Sequence, residues 1–191
     1  MNNRTVILAS AASILIFSFL CICAMPMLFL TLLLGGDSMG SSSTLPEDLV
    51  AIYDDFVWPL RGYGAEYITS PFGYRASPGG IGSTNHKGID IAAPKGTPIR
   101  AAASGAITIS SYDSTSGHYV EVDHGNGLRT RYAHMSKRLC KVGILIDAGD
   151  ILGLVGSTGV STGNHLHFEL RLDGVAHDPM QLFHSTGGEI T

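Results

Sequence analysis

The feature that most constrains this chain is an uncharged apolar run near its start. Residues 6–34 are 29 consecutive positions without Asp, Glu, Lys or Arg, and Leu, Ile, Phe, Ala and Met dominate them. About 20 apolar residues suffice for a helix to cross a bilayer, whereas signal peptides have apolar cores of about 7–15 residues. The run predicts an uncleaved transmembrane helix, with cleavage within 35–40 as the alternative.

The flanking charges predict the orientation of this helix. Arg4 precedes the run, the next cation is Arg61, and only acidic residues carry charge between the run and Arg61. Cytoplasmic flanks of membrane helices carry the excess of Lys and Arg. We therefore expect a single-pass protein with a cytoplasmic amino terminus and the rest of the chain outside the cytoplasm.

Composition predicts four successive parts of the chain. Gly and Ser dominate 35–44, which is typical of a flexible linker. Apolar side chains recur at helical spacing within 46–58, which predicts a short helix there. The predicted parts are an anchor (1–35), a linker with a short helix (36–60), a folded domain (61–185) and a tail (186–191).

Charge and cysteine content exclude two classes for the folded domain. From Arg61 onward there are 11 Lys and Arg and 11 Asp and Glu, so the domain has no basic excess for binding nucleic acid. Cys140 is the single cysteine outside the apolar run, so no disulfide framework can hold the domain together.

The domain has the pattern of a β protein. Short apolar stretches alternate with Gly-rich turns, and no long amphipathic helix intervenes. The HGNG segment at 124–127 predicts a hairpin turn. We expect an antiparallel sheet folded into a sandwich or half-barrel with a substrate groove. The predicted strands are 89–92, 105–110, 119–123, 128–134, 151–155 and 165–172.

One of these strands carries two histidines on the same face. His165, His167 and Glu169 alternate with apolar residues, and a period of two places them on one side of the strand. The two histidine Cα atoms would lie about 6.5–7 Å apart. One imidazole could bind a metal while the other reaches a reacting group, although a solvated polar face would have the same pattern.

Two further motifs are weaker by themselves. His86 and Asp90 are both good zinc ligands, but a straight strand would separate them by about 13 Å. Gly88 between them predicts a sharp bend that could bring them together. His134 ends another predicted strand, in the segment YAHMS (132–136).

Taken together, these motifs indicate a catalytic metal site. Two histidines and one aspartate complete a three-ligand set, which leaves a fourth zinc position for water. Two further histidines would remain for proton transfer and for stabilising charge.

Four motifs in order resemble the lysostaphin-type, or LytM-like, zinc endopeptidases of bacterial peptidoglycan. They are SPFGYR (70–75), HKGIDIAAPKGTPIRAAASG (86–105), YAHMS (132–136) and GSTGVSTGNHLHFEL (156–170). The resemblance covers about residues 64–183 and implies a folded antiparallel sheet whose loops wall a groove.

The resemblance also implies roles for five residues. His86, Asp90 and His167 correspond to the ligands of one zinc ion, and His134 and His165 to two active-site histidines. It implies hydrolysis of peptidoglycan peptide cross-links by a zinc-activated water. With the apolar run, it implies an enzyme of the bacterial cell membrane, with an envelope protein complex as a possible partner.

Three alternatives remain at this point. The chain could be a non-catalytic module that binds peptidoglycan or activates an amidase, a zinc D-alanyl-D-alanine peptidase of another family, or a general protease. The loops expected to set specificity are 76–85, 113–117 and 137–148.

Overall fold

Short strands joined by Gly-rich turns build an almost entirely β domain. The computed structural model describes residues 56–74 and 84–185. The predicted anchor, the tail and most of the linker lie outside these residues, and no helix within them is long and apolar enough to cross a membrane. Of the predicted helix at 46–58, only Phe56, Val57 and Trp58 are described, and they are not helical.

Within residues 56–74 and 84–185, a 3-10 helix (Ala65–Tyr67) precedes thirteen strands and one short α-helix. The first seven strands are β1 (Ile68–Ser70), β2 (Gly73–Tyr74), β3 (Asn85–His86), β4 (Ile89–Ala92), β5 (Pro98–Arg100), β6 (Gly105–Asp113) and β7 (Gly117–Gly125). The others are β8 (Leu128–Met135), β9 (Lys137–Arg138), β10 (Leu145–Ile146), β11 (Ile151–Leu154), β12 (His165–Leu172) and β13 (Val175–His177), followed by helix α1 (Met180–Ser185).

The main sheet has eight strands and places β12 in its interior. Its order is β1-β4-β12-β8-β7-β6-β10, and β13 pairs with β12 as the eighth strand. Two smaller sheets contain β5-β11-β9 and β2-β3. All of these pairings are antiparallel, which confirms the predicted antiparallel β fold of the domain.

The predicted hairpin joins β7 to β8. Asn126 and Gly127 form its two-residue turn with φ values of 50° and 77°. A turn with positive φ at both central residues matches the right-handed twist of the flanking strands. Asn tolerates this conformation and Gly adopts it without strain, so these two residues set the register between β7 and β8.

The apolar face of β12 packs into the core. Leu166, Phe168 and Leu170 are fully buried, and the Tyr132 ring of β8 lies 5.2 Å from that of Phe168. Among the residues that the structure describes, the buried cluster extends from Phe56 to Phe183. Residues 42–191 separate as a compact unit that contains all of this core, as expected of a part that can fold independently.

Candidate metal centre and its groove

Strand pairing brings the first two predicted ligands together. Asp90 in β4 lies directly opposite His167 in the antiparallel pair β4–β12. Cross-strand neighbours have Cβ atoms about 4.5–5.5 Å apart. Asp90 Oδ1 accordingly lies 2.8 Å from Nδ1 of His167.

The third predicted ligand reaches the same point after a change of direction between β3 and β4. His86 ends β3, and its Nε2 lies 3.0 Å from Oδ1 of Asp90. The bend was expected from the conformational freedom of Gly88, but Gly88 is not among the glycines with positive φ. Gly88 is instead needed because it lacks a side chain, since a Cβ there would clash with the carbonyl oxygen of Phe168.

Three ligand atoms therefore converge in one place. His86 Nε2 and His167 Nδ1 lie 3.0 Å apart, and each is within 3.0 Å of Asp90 Oδ1. In a tetrahedral zinc site with bonds of about 2.0–2.1 Å, ligand atoms lie about 3.3 Å apart. The observed triangle is only slightly smaller, so two imidazole nitrogens and a carboxylate fit a zinc ion with one position left for water.

Hydrogen bonds to the opposite ring nitrogens orient both imidazoles. Nδ1 of His86 donates to the carbonyl oxygen of Pro71 at 2.8 Å, and Nε2 of His167 donates to Oε1 of Glu169 at 3.0 Å. In the neutral rings, each bond places the proton away from Asp90 and leaves a lone pair facing it. Partners of this kind fix the tautomer and raise the basicity of metal-binding histidines.

The charges of this cluster stabilise one another. Burial alone would raise the pKa of Asp90, but its interactions with His167 and His86 outweigh burial and lower it. Burial opposes protonation of His167, yet hydrogen bonds to Asp90 and Glu169 raise its pKa to about 9. Burial would also raise the pKa of Glu169, but His167 and Arg171 lower it to about 2. Both carboxylates are thus ionised at neutral pH, and a metal cation would replace the extra proton on His167.

Arg171 supports Glu169 from the same strand face. Its Nε and Nη2 lie 2.7 and 2.5 Å from Oε2 of Glu169. Residues two apart on a strand point the same way, so the sequence alternation from His165 to Arg171 becomes a line of contacts along one face. These contacts give Glu169 and Arg171 a supporting role beside the predicted ligand His167 rather than a purely solvated one.

His134 reaches the groove by breaking the alternation of β8. Ala133 lies opposite His167, so strict alternation would turn His134 toward the core with Tyr132. His134 instead has φ of 60°. Such a conformation is uncommon outside glycine but several-fold enriched in histidine. Tyr132 is therefore core while His134 lines the groove, although the two residues are two positions apart in the same strand.

The imidazole of His134 is held neutral. Its Nδ1 donates to the carbonyl oxygen of Thr158 at 2.8 Å, which leaves Nε2 as an acceptor. Burial lowers the pKa of His134 to about 4, and the neighbouring His165 and His167 add to that effect.

His165 completes a pair with His134 beside the ligand cluster. The two ring centroids lie 4.8 Å apart, and Nε2 of His165 lies 3.7 Å from Oδ1 of Asp90. Nδ1 of His165 donates to the carbonyl oxygen of Gly163 at 2.9 Å. Burial lowers its pKa as well. The structure thus gathers all five predicted residues around one centre.

A groove of about 390 Å³ opens over this centre. Besides the five predicted residues, polar and charged side chains from several elements line it: Asn85, Lys87, Thr115, Ser116, Arg131, Ser161, Thr162, Glu169 and Arg171. The predicted specificity loop 113–117 contributes to this wall, whereas 137–148 does not.

Sequence reasoning missed the contribution of 160–162 and of Arg131. Arg131 donates to Ser116 Oγ at 2.8 Å and lies over the ring of Tyr119 at 4.0 Å. Its position in β8, two residues before Ala133, was the available signal, because Ala133 faces the metal centre.

Comparison with known proteins places this geometry in a family. The model of peptidase family M23 matches residues 84–179, which are half of the chain. The match spans all five residues of the centre and confirms the resemblance found in the sequence.

Two curated relatives match the same region. The DD-carboxypeptidase/endopeptidase Mpg of Neisseria meningitidis serogroup B is 45% identical over 115 residues, which are 60% of this chain and 26% of the relative. The peptidoglycan DD-endopeptidase ShyC of Vibrio cholerae serotype O1 is 43% identical over 94 residues, which are 49% of this chain and 22% of the relative. The chain thus spans about a quarter of the length of these relatives.

A solved structure shares the fold. It is a zinc-containing peptidase from Vibrio cholerae, 29% identical, with a TM-score of 0.61. The similarity covers 73% of this chain and 42% of that protein.

Proposed function

This chain belongs to peptidase family M23, and on that premise we propose that it is a zinc metalloendopeptidase that hydrolyses peptide cross-links of bacterial peptidoglycan. The observation that carries the proposal is the convergence of His86, Asp90 and His167 beside the pair His134 and His165. A binding module would have no need for two tautomer-fixed imidazoles next to a three-ligand cluster.

The ligand set suits hydrolysis. Zinc held by His86, Asp90 and His167 would lower the pKa of a bound water toward about 7 and polarise a carbonyl group. The Asp90 carboxylate adds negative charge to this centre, and Glu169 extends it through His167. Three protein ligands with one open position are typical of catalytic rather than structural zinc.

The two remaining histidines supply proton transfer. His134 and His165 each hold a proton on Nδ1 through a backbone carbonyl, so the Nε2 of each neutral ring can accept one. One ring would take the proton of the attacking water and, as the imidazolium, stabilise the oxyanion before it passes this proton to the leaving amine, while Nε2 of the other, neutral ring would accept a hydrogen bond from the water and position it. Either assignment is compatible with this geometry.

The names of the relatives support the proposed substrate. One is named a peptidoglycan DD-endopeptidase and the other a DD-carboxypeptidase/endopeptidase. We therefore expect hydrolysis of an amide bond in the stem peptides or cross-bridges of the wall. The polar groove, lined by Lys87, Arg131 and hydroxyl side chains, suits peptides that carry free carboxylates.

The experiment is digestion of purified peptidoglycan by the zinc-loaded unit 42–191, with fragments identified by mass spectrometry. Wild type should release new amino groups, and His165→Asn should release them at least about 100-fold more slowly. A casein digest run in parallel tests the general-protease alternative. Binding to wall sacculi without any cleavage, in wild type and variant alike, would instead support the non-catalytic binding or amidase-activating alternative.

We also propose that residues 6–34 anchor the protein in the bacterial cell membrane with the catalytic domain outside the cytoplasm. The length of the uncharged run and the position of Arg4 support this proposal. Alkaline carbonate should leave the full chain in the membrane pellet, and protease added to spheroplasts should remove the catalytic domain. Release by carbonate, or protection from the protease, would contradict it.

Such a tether would restrict hydrolysis to wall near the membrane, which suits growth, division or assembly of an envelope protein complex. Cross-linking of the full chain in cells, followed by mass spectrometry, should then recover envelope proteins. A chain freed of residues 1–35 that performs the same cellular task at the same level would remove the reason for the tether.

A further inference from the structure

A second cavity, of about 500 Å³, shares no lining residue with the metal groove. Its walls are the end of β6, the start of β7 and the segment after β8. The residues that line it are Ser110, His118, Ser136, Lys137, Arg138, Cys140, Lys141 and Val142. It therefore lies against 137–148, the loop that sequence reasoning assigned to the substrate groove.

The charge of this cavity is entirely positive. Its ionisable walls contain Lys137, Arg138 and Lys141 but no Asp or Glu. Within residues 56–74 and 84–185, none of these cations forms an ion pair, and Arg138 donates only to Ser110 Oγ at 3.3 Å. Three uncompensated cations around one cavity favour an anionic ligand with several oxygen acceptors.

The wall also contains an unused hydrogen-bonding atom. Nδ1 of His118 is buried and has no hydrogen-bond partner among the described residues. Buried polar atoms without partners are rare in proteins.

An apolar rim adjoins the cations in the same segment. Leu139, Val142, Ile144 and Leu145 are 50%, 58%, 52% and 80% exposed. Single exposed apolar residues are normal, but four within seven positions indicate an interaction site. Asp147 and Asp150 follow in the sequence without lining the cavity, and Asp150 instead accepts a hydrogen bond from the Asp147 backbone.

We propose that this cavity and its rim form a peripheral membrane-contact surface, in which the cations bind the phosphate of an anionic phospholipid and the rim enters the interfacial region. An anionic bilayer surface offers negatively charged headgroups, which the cations can bind, and an apolar boundary below them, which exposed large apolar side chains can enter. A soluble polyanion would be satisfied by the cations alone and leaves the rim unexplained. This contact is independent of residues 6–34 and of the proposed catalytic function.

The test uses the unit 42–191, which contains the whole described core and lacks the apolar run. Its co-sedimentation is measured with vesicles of phosphatidylcholine alone and with phosphatidylglycerol added. Two double variants are compared, Lys137→Glu with Lys141→Glu, and Ile144→Ser with Leu145→Ser. All four positions are exposed, so the fold should tolerate these changes, which thermal melting verifies.

Matched controls lie elsewhere on the surface. Lys95→Glu changes an exposed lysine, and Val175→Ser changes an exposed apolar residue in β13. Wild type should bind the phosphatidylglycerol vesicles, and each double variant should bind at least about tenfold more weakly, while the controls match wild type.

Four results would overturn the proposal. Wild type could fail to bind anionic vesicles, or bind neutral and anionic vesicles equally. It could bind inorganic phosphate at the cations but no vesicle, which would make the cavity a site for soluble anions. Finally, the apolar double variant could keep vesicle binding but lose self-association or capture of a partner protein, which would make the rim a protein interface.

Discussion

Nε2 of His86 and Nδ1 of His167 lie 3.0 Å apart although 81 residues separate them in the sequence. Two nitrogen lone pairs face each other at this distance only when a positive charge lies between them. In the metal-free domain, a proton on Nδ1 of His167, hydrogen-bonded to Oδ1 of Asp90, supplies that charge, and a metal cation would supply it in place of the proton. Competition between protons and metal for this position makes metal affinity fall as the pH falls.

Glu169→Gln should weaken zinc binding without unfolding the domain. The carboxylate accepts the Nε2 proton of His167, and removing its charge lowers the basicity of that ligand. Losses of about 10–100-fold in affinity are typical for such partners. Competition titration with a zinc chelator measures the change.

Glu121→Gln is the matched control for this change. Glu121 is another buried glutamate of the main sheet, and its ion pair is with Arg129 rather than with a metal ligand. It should keep wild-type zinc affinity. Equal zinc affinity in Glu169→Gln and wild type would show that Glu169 has no influence on the centre.

His134 should resist protonation in the metal-free domain. Its folded-state pKa of about 4 lies below the value of about 6.5 for an unfolded histidine. The stability linked to this residue is therefore fully present above pH 6.5 and is lost as the pH falls toward 4. Imidazole NMR shifts should show His134 neutral at pH 5.5, and a titration midpoint at or above pH 6 would contradict this.

The lowered pKa of His134 also predicts how the unfolding free energy changes with pH. Between pH 6.5 and 4, the urea-unfolding free energy of the metal-free wild type should decline more steeply than that of His134→Gln, which cannot be protonated. Parallel declines would mean that His134 is not responsible for the loss.

Gly88→Ala should disrupt the approach of β4 to β12. A methyl group there would meet the Phe168 carbonyl, which belongs to a buried strand and cannot move aside cheaply. We expect a loss of about 3 kcal/mol or more in unfolding free energy, together with loss of zinc. Gly163→Ala is the control, since nothing lies within 4 Å of an added Cβ there. Equal melting of both variants would refute the packing explanation.

Tyr132→Phe should destabilise the domain by about 1–3 kcal/mol. The buried hydroxyl accepts hydrogen bonds from the Ala102 N–H at 2.7 Å and from the Thr130 hydroxyl at 2.9 Å. Its removal leaves the Ala102 N–H without an acceptor. Tyr112→Phe, at a 56% exposed position, should stay within about 0.5 kcal/mol of wild type by denaturant unfolding. If Tyr132→Phe left the unfolding free energy unchanged, water would have to replace the hydroxyl as the acceptor for the Ala102 N–H.

Strong local patterns made part of this fold predictable. β4 and β12 have the predicted bounds, because alternation fixes which face each residue occupies. The Asn126–Gly127 turn was predictable because few residue pairs tolerate two positive φ values. Strands of two or three residues, such as β3 and β9, were missed because pairing with distant strands defines them.

The sequence was enough to predict which residues form the candidate site, but not which backbone conformations and contacts bring them together. His134 faces the groove through a positive φ that no periodicity indicates. Gly88 acts through its lack of a Cβ beside Phe168, which depends on the register of β12. The side of the domain on which 137–148 lies depends on the pairing of β9 with β11 and of β10 with β6.

The central claim is that His86, Asp90 and His167 hold the metal while His134 does not. Zinc content should be measured by mass spectrometry in wild type, in His86→Ala, Asp90→Ala and His167→Ala, and in His134→Asn, whose new residue tolerates the positive φ. We predict about one zinc per chain in wild type and His134→Asn and almost none in the others. Full zinc in any of the three ligand variants, or its loss in His134→Asn, would contradict the assignment.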